Sequence, residues 1–521
     1  MTRSVTIVTG AARRGKLPSG APGPELPGPA ETGLPAGFTV QLADGVHRSR
    51  DGKLILGGSP ARLLRLTPLA VRLLQEGSFA VTGRASAALA RRLLDCGIVN
   101  PRPPACPVRD VTIVIPVQDR AAQLDRLLAR LRADPDSASL PCLVVDDGSA
   151  DPSATADVAR RYGASLIRHG DNRGPAAARN TGMREASTSY VAFCDSDVLP
   201  EPARLGPLIA QFTDPAVALA APRVLSAHNV APRWLERFEN VRSPLDLGER
   251  EAAVLPLSPV AYVPGAVMVV RKAAIGDGFA PELRFAEDVD LCMRLHRAGW
   301  RLCYVPAARV THEPRADLGS WLAQRARYGS GAADLALRHP GLIPPLCAAP
   351  WAVAACALLL RGRPLPAAVA GALYLIAAAR LARLMPDADT PVRAAALLTL
   401  ATLRSAGEQV GCCATRHHWP LAVLAALLSK RARRLLLAYA VFDGLRDFQR
   451  CGRPQSFPVH LLLRRLDDLA YGAGVWSGAV RRRTAAPLLP RFAVGAARRV
   501  FEPVPAPGGG QPGYPAGKAG A

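Results

Sequence analysis

The sequence predicts an α/β domain on a parallel sheet, preceded by a small module and followed by a hydrophobic helical region. Three observations predict it. Between residues 108 and 336, apolar strand-like runs alternate with helix-like runs, the pattern of a sheet covered on both faces. Polar clusters rich in Asp and Gly follow those strands. After residue 337, Ala/Leu runs bordered by arginines replace the alternation.

The 521 residues are enough for two or three domains. The formal charge is +23, from 65 Lys+Arg against 42 Asp+Glu. From Arg338 onward 24 basic residues face 8 acidic ones, a local +16, while the remaining 41 and 34 nearly balance. Such asymmetry points to an anionic surface. The basic residues are interleaved with Ala/Leu runs and lack the basic-plus-aromatic pattern of a single-strand binder. A membrane surface is therefore the expected partner, and nucleic acid is not. Eleven scattered cysteines contain no Cys-x-x-Cys pair, which excludes a zinc ribbon or a thioredoxin-like site and fits a reducing compartment.

Residues 1–36, rich in Pro and Gly, read as a disordered leader. Residues 37–105 read as a small winged-helix-like module. Phe38 to Leu42 and Leu54 to Leu56 are two short strands, Thr67-Pro68 starts a helix, and a second helix carries Leu89, Leu93 and Leu94 up to Gly97. In residues 108–336, Val111 to Ile115, Leu143 to Val145, Leu166-Ile167 and Val191 to Cys194 are strands. In residues 337–471, the apolar runs Leu346 to Leu360, Leu365 to Ala379 and Leu421 to Leu428 each end in arginines or a basic cluster. None clearly reaches the roughly 20 residues of a spanning helix. They read as interfacial helices with arginines at the headgroups, as spans with snorkelling arginines, or as a soluble bundle. Residues 472–521 read as a basic, largely disordered tail.

Ligands of open α/β sheets sit at the carboxyl ends of strands. Pro116 to Arg120, Asp146 to Ser149, Asp195 to Asp197 and the Glu287-Asp288 stretch fall at such ends. Asp195 and Asp197 suit a divalent cation, Mn²⁺ or Mg²⁺, bridging to a diphosphate. Asp146 or Asp147 can accept a base N–H; a helix cap with an Asx turn is an equal reading. Arg173 and Arg179, at a glycine-containing helix entry, are the available cations for a diphosphate. Glu287 and Asp288 lie in the first turn of a helix, which favours negative charge. Either could instead serve as general base, Asp288 first and Glu287 next. Arg294 pairs with Asp290 four residues earlier. His312, at a later strand end, is a candidate third metal ligand.

Several pieces together resemble family 2 glycosyltransferases of the GT-A fold. They are Val114-Ile115-Pro116-Val117, Val144 to Ser149, Gly174 to Asn180, Asp195-Ser196-Asp197, Pro264-Gly265-Ala266 and Glu287 to Leu291, in the family's order and spacing. The resemblance, over about Val111 to His312, implies a Rossmann-like mixed sheet, an inverting mechanism, a UDP- or dTDP-sugar and a divalent cation. It implies a nucleotide-sugar site that includes Pro116, Asp119 and Gly265, the Asp195/Asp197 metal turn and an Asp288 base. The first loop departs from the pattern, with Gln118-Asp119 where many members have an aromatic and Asn.

A narrower resemblance rests on Asp44-Gly45-Val46, Leu56 to Pro60 and Leu63 to Pro68 ahead of such a domain. These look like the mycofactocin-system glycosyltransferases. That family implies glucose from UDP-glucose, added in β-1,4 linkage to premycofactocin, a small redox molecule derived from the Val-Tyr end of a peptide. The 37–105 unit also loosely resembles PqqD-type peptide-recognition domains. The expected location is the cell membrane, with the catalytic domain on its cytoplasmic side. The rival readings are a rhamnosyl- or glucosyltransferase of the same fold acting on a cell-surface polysaccharide or glycolipid, and an inactive membrane scaffold.

Overall fold

The computed structural model describes residues 26–29, 33–58, 61–201, 205–227, 232–313, 317–386 and 388–492. Most of the expected leader, residues 1–25 and 30–32, and the tail from 493 lie outside them.

The central domain begins with β1 (Val111–Val117), whose sequence VTIVIPV is buried almost throughout. Its side chains alternate between two cores: Ile113 and Ile115 face one and Val114 faces the other. This is why the strand reads as a continuous apolar run. It is followed by α1 (Ala121–Ala133), β2 (Cys142–Asp147), α2 (Pro152–Arg161), β3 (Ser165–His169), α3 (Pro175–Glu185) and β4 (Tyr190–Cys194). Strands β1 to β4 pair in parallel, in the order β3-β2-β1-β4.

The chain then adds β5 (Val198–Pro200), β6 (Val217–Ser226), α4 (Trp234–Arg242), β7 (Val267–Arg271), α5 (Glu287–Arg297), β8 (Arg301–His312) and α6 (Leu318–Ser330). Strand β7 lies antiparallel between β4 and β6, whereas β8 runs parallel to β6. The sheet is therefore mixed, not wholly parallel as the alternation alone predicts. An apolar run reports that a strand is buried on both faces but not its direction, which its connections set.

The N-terminal module has six short strands among the described residues, against the two expected. Thr39–Leu42 lies between Ser78–Ala80 and Val99–Arg102, and Leu54–Gly57 lies between His47–Arg48 and Arg62–Arg65. Thr67 caps the first helix through its hydroxyl, which accepts from Ala70 N at 3.3 Å. The module is pinned to the central domain by Arg91, whose two terminal nitrogens reach Asp214 at 2.7 and 2.6 Å. Arg301 reaches Asp95 at 2.6 Å. The end of the expected leader also packs here: Trp300 Nε1 donates to Pro27 O at 2.6 Å.

The C-terminal region comprises α7 (Pro350–Leu359), α8 (Pro364–Arg383), α9 (Pro391–Cys412), α10 (Trp419–Leu428), α11 (Lys430–Arg450) and α12 (Phe457–Arg481). Residues 472–481, expected to open a tail, belong instead to α12, which runs to Arg481. Glycines of this stretch form the helix's contact face. A Cβ on Gly474 would meet Ala326 O at 1.9 Å, and one on Gly478 would meet Ser330 O at 2.4 Å. Helices α6 and α12 thus touch backbone to backbone. Beyond α12, Arg491–Phe492 pairs with Cys347–Ala348.

Candidate active site

The carboxyl ends of β1, β2 and β4 share one edge of the sheet. Strand β7 starts there, with Val267 opposite Cys194, so Pro264 to Ala266 sit beside Asp195. The link is direct: Asp195 N donates to Ala266 O at 2.9 Å. Strand β8 ends on the same edge, with His312 opposite Val198. A cavity of about 1230 Å³ opens at this edge. Pro116, Asp195, Asp197, Gly265, Glu287, Asp288 and His312 all line it.

Each carboxylate has a defined partner. Arg179 is 3 % exposed and reaches Asp195 at 2.6 Å and Glu287 at 2.7 Å. Burial opposes the Arg179 charge, but these two carboxylates outweigh it and hold the guanidinium firmly protonated. Burial raises the Asp195 carboxyl above its ordinary value; Arg179 opposes the shift and the nearby Asp197 charge adds to it. Burial would also raise Asp197, but His312 and Arg120 hold it well below the usual carboxylate range. Arg120 is ion-paired to Asp197, and His312 Nε2 lies 3.5 Å from it. Burial disfavours charge on His312, yet Asp197 raises its basicity above the ordinary value.

Asp288 is different. Its Oδ2 accepts from Gly265 N at 2.7 Å and its Oδ1 from Val289 N at 2.8 Å, and among the described residues no side-chain cation is bonded to it. Desolvation, then the Glu287 charge, pushes its carboxyl up to about 7. A carboxyl at that value can take a proton near neutrality.

Several expected ligand contacts have other duties. Arg179 does not face the cavity as a free cation; it neutralises the buried Glu287 and the half-buried Asp195. Glu287 is its partner, which leaves Asp288 as the carboxyl without a cation. Asp146 is fully buried and off the cavity wall, accepting from Ser149 N at 2.9 Å and Arg168 at 3.0 Å. Asp147 touches the cavity, but its oxygens accept from Arg173 N at 3.0 Å and Gly174 N at 2.7 Å and meet His169 at 2.7 Å. Asp146 thus closes a local turn and Asp147 braces the entry of α3, while the helix that follows the pair, α2, is capped by Asp151. Gly148 makes the turn possible: at φ +76°, a Cβ would meet Asn172 N at 2.7 Å. Asp119 and Arg173 lie off the cavity wall. Asp119, at φ 53°, instead accepts from Ala150 N at 2.7 Å and ties the first loop to the second.

Sequence reasoning missed the Arg120 pairing and the whole far wall of the cavity. That wall includes Tyr262 and Tyr328 and residues of α9, α11 and α12. The scarcity of aromatics was the available signal, since four of the nine tyrosines line this one cavity.

The Asp195, Asp197 and His312 set fits a divalent cation. The two carboxylates supply the hard oxygen donors that Mn²⁺ or Mg²⁺ takes, and the imidazole adds a borderline nitrogen. The two carboxylates raise the cost of each other's charge, a repulsion that a cation between them relieves.

Comparison with known proteins gives the family. The family described as Glycosyl transferase family 2 matches residues 112–278. A pre-mycofactocin glycosyltransferase of Mycobacterium tuberculosis is 44 % identical over 472 residues, covering 88 % of this chain and 99 % of the relative. The succinoglycan biosynthesis protein ExoU of Rhizobium meliloti is 30 % identical over 210 residues, 37 % of this chain and 58 % of that protein. Among solved structures, a mannosyltransferase of Pyrobaculum calidifontis in complex with GDP-Man and Mn²⁺ covers 70 % of this chain and 89 % of its own, at 19 % identity and a TM-score of 0.34. On the strength of the 44 % match along nearly its whole length, the chain belongs to the family of pre-mycofactocin glycosyltransferases and carries a family 2 glycosyltransferase domain.

Proposed function

We propose that this glycosyltransferase moves glucose from UDP-glucose to premycofactocin, with inversion, and extends the product as a β-1,4-linked glucan. The observation that carries the chemistry is Asp288, a carboxyl near neutrality on the same cavity as the Asp195-Ser196-Asp197 turn. The acceptor is proposed from the full-length match to pre-mycofactocin glycosyltransferases.

Asp288 takes the proton of the acceptor hydroxyl as its oxygen attacks the anomeric carbon. The bond from that carbon to the diphosphate oxygen breaks, and UDP leaves. Gly265 N–H holds the Asp288 carboxylate in place throughout. Asp195, Asp197 and His312 would hold Mn²⁺ or Mg²⁺, which neutralises the diphosphate charge that leaves with UDP. Arg179 keeps Asp195 ionised and oriented. Purified full-length protein with UDP-glucose, premycofactocin and Mn²⁺ tests the reading. A mass gain of one or more hexoses on the acceptor, removable by a β-glucosidase, is expected. UDP release with the acceptor unmodified refutes it.

The proposed location is the membrane surface, with the catalytic domain on the cytoplasmic side. Helix α8 is long and apolar enough to cross a bilayer, with a mean hydropathy of 1.7. Leu365 and Val392 are 75 % exposed and Leu428 is 81 % exposed, far from the burial such side chains favour. Arg361, Arg363, Lys430 and Arg431 border these apolar faces, as headgroup-binding residues do. Flotation with phosphatidylglycerol-containing vesicles is the test. Protein that stays at the bottom of the gradient without detergent contradicts it.

A further inference from the structure

The cavity at the catalytic edge is larger than the roughly 300–1,000 Å³ that encloses one small ligand. One half is built by the strand-end loops and holds Pro116, Asp147, Asp195, Asp197, Gly265 and His312. The other half is built by the C-terminal helical region together with α6. Its chemistry differs from the first. Tyr439 of α11 and Tyr471 of α12 form an aromatic wall, and the Arg416 guanidinium stacks 3.9 Å from the Tyr471 ring centre. Arg446 reaches Glu408 at 2.5 Å through one terminal nitrogen, while its buried Nη2 has no hydrogen-bond partner among the described residues. Arg325 is 3 % exposed and ion-pairs with Glu239 and Asp467, yet its buried Nη1 also lacks one. Buried N–H donors are rarely left unpaired. Arg179, Arg242, Arg325, Arg446 and Arg464 of the cavity wall each carry such a nitrogen; those of Arg325 and Arg446 that lack a partner include terminal nitrogens, which suit a ligand that brings oxygen acceptors.

We propose that this half is the acceptor chamber and sets acceptor specificity. Tyr439 and Tyr471 contact a ring-bearing acceptor, and the open N–H groups of Arg325 and Arg446 meet its carbonyl or anionic oxygens. The proposal rests on the glycosyl-transfer reading but not on the identity of the acceptor. The chamber separates the two substrates: donor chemistry belongs to the sheet edge, acceptor choice to the helices.

The test uses full-length Tyr439→Leu, Tyr439→Phe and Arg446→Gln proteins. UDP affinity, measured by calorimetry with Mn²⁺, reports the donor half and the fold. Tyr439→Leu and Arg446→Gln are expected to raise the KM for premycofactocin at least tenfold while UDP affinity stays within about twofold. Tyr439→Phe keeps the ring and is expected to restore the acceptor KM. Binding of p-nitrophenyl β-glucoside, a ring-bearing probe, is titrated in the same proteins and is expected to weaken in parallel. An enzyme that cleaves UDP-glucose but leaves premycofactocin unmodified refutes the proposed acceptor and leaves the chamber to the probe titration. Failure of wild-type protein to bind the probe, equal binding by the Leu and Gln variants, or loss of UDP affinity in step with acceptor affinity overturns the chamber.

Discussion

Arg179 lies 2.6 Å from Asp195, and its side chain is 3 % exposed. It also holds Glu287 at 2.7 Å, so one buried cation orients a carboxylate from the end of β4 and another from the start of α5. Removing it leaves two inward-facing carboxylates without a counter-charge. Arg179→Met is expected to cost about 3–5 kcal/mol of stability, the scale for breaking a buried pair from one side. Chemical unfolding checks this. Wild-type stability combined with lost UDP affinity would return Arg179 to the role of a diphosphate cation.

Asp288→Asn keeps the shape of the side chain and removes its ability to take a proton. The transfer rate is expected to fall by about 10²–10⁴, the usual contribution of a general base. Glu287→Gln is expected to act mainly through Arg179 and to lower stability. Steady-state kinetics and thermal unfolding on both variants separate the two roles. Equal kinetic losses with equal stability would contradict the division.

The pH dependence has a definite sign. Below about 7 the Asp288 carboxyl is protonated and cannot accept the acceptor's proton. The rate at saturating Mn²⁺ is therefore expected to rise from acid to a plateau above neutrality, with its midpoint near 7. The folded value lies above the ordinary 3.8. The stabilising contribution of this group is thus full below about 4 and is lost as the pH rises through 7. A rate profile that is flat from pH 5 to 8 would dismiss Asp288 as the base.

Chelation by EDTA is expected to abolish transfer, and Mn²⁺ to restore it. His312→Ala is expected to raise the Mn²⁺ concentration needed for half-maximal rate by roughly 10–100-fold or more, since even partners outside the coordination sphere have effects of that size. Activity that survives EDTA treatment with residual metal verified as absent would count against the metal reading.

The strand ends were readable because burial on both faces writes itself as an unbroken apolar run. Val191 to Cys194 followed by Asp195 is the clearest case, and the observed strand differs from it by one residue. The Asp290–Arg294 pair was readable too, at 2.8 Å, because four residues on a helix fix a distance. Its further partners, Arg338 at 2.7 Å and His339 at 2.8 Å, were not. The Arg179–Glu287 pair was hidden for the same reason: Glu287 stands 108 positions away, and no local spacing announces that meeting. The sequence from residue 472 reads as a basic tail, yet Gly472, Gly474 and Gly478 lie within α12. Glycine in a helix is a poor local choice by roughly 1 kcal/mol, and only the closeness of α6 explains it.

That closeness makes a fifth expectation. Gly474→Ala places a methyl group where Ala326 O already sits. Over-packing at a backbone-to-backbone contact is expected to cost roughly 1–3 kcal/mol or more. Transfer activity is expected to fall with it, because the chamber wall moves with α12. Unchanged melting temperature and activity would show that the two helices can slide apart freely.

Side chains at most interfaces can rotate to absorb a poor fit, but bare backbone cannot. The seam between α6 and α12 therefore works as a weld, and the two halves of the cavity behave as parts of one mould. Acceptor preference in this enzyme is expected to evolve by repainting the chamber's side chains, not by exchanging the helical region as a cassette. A catalytic fragment cut near residue 336 would lose the cover over α6 as well as the chamber.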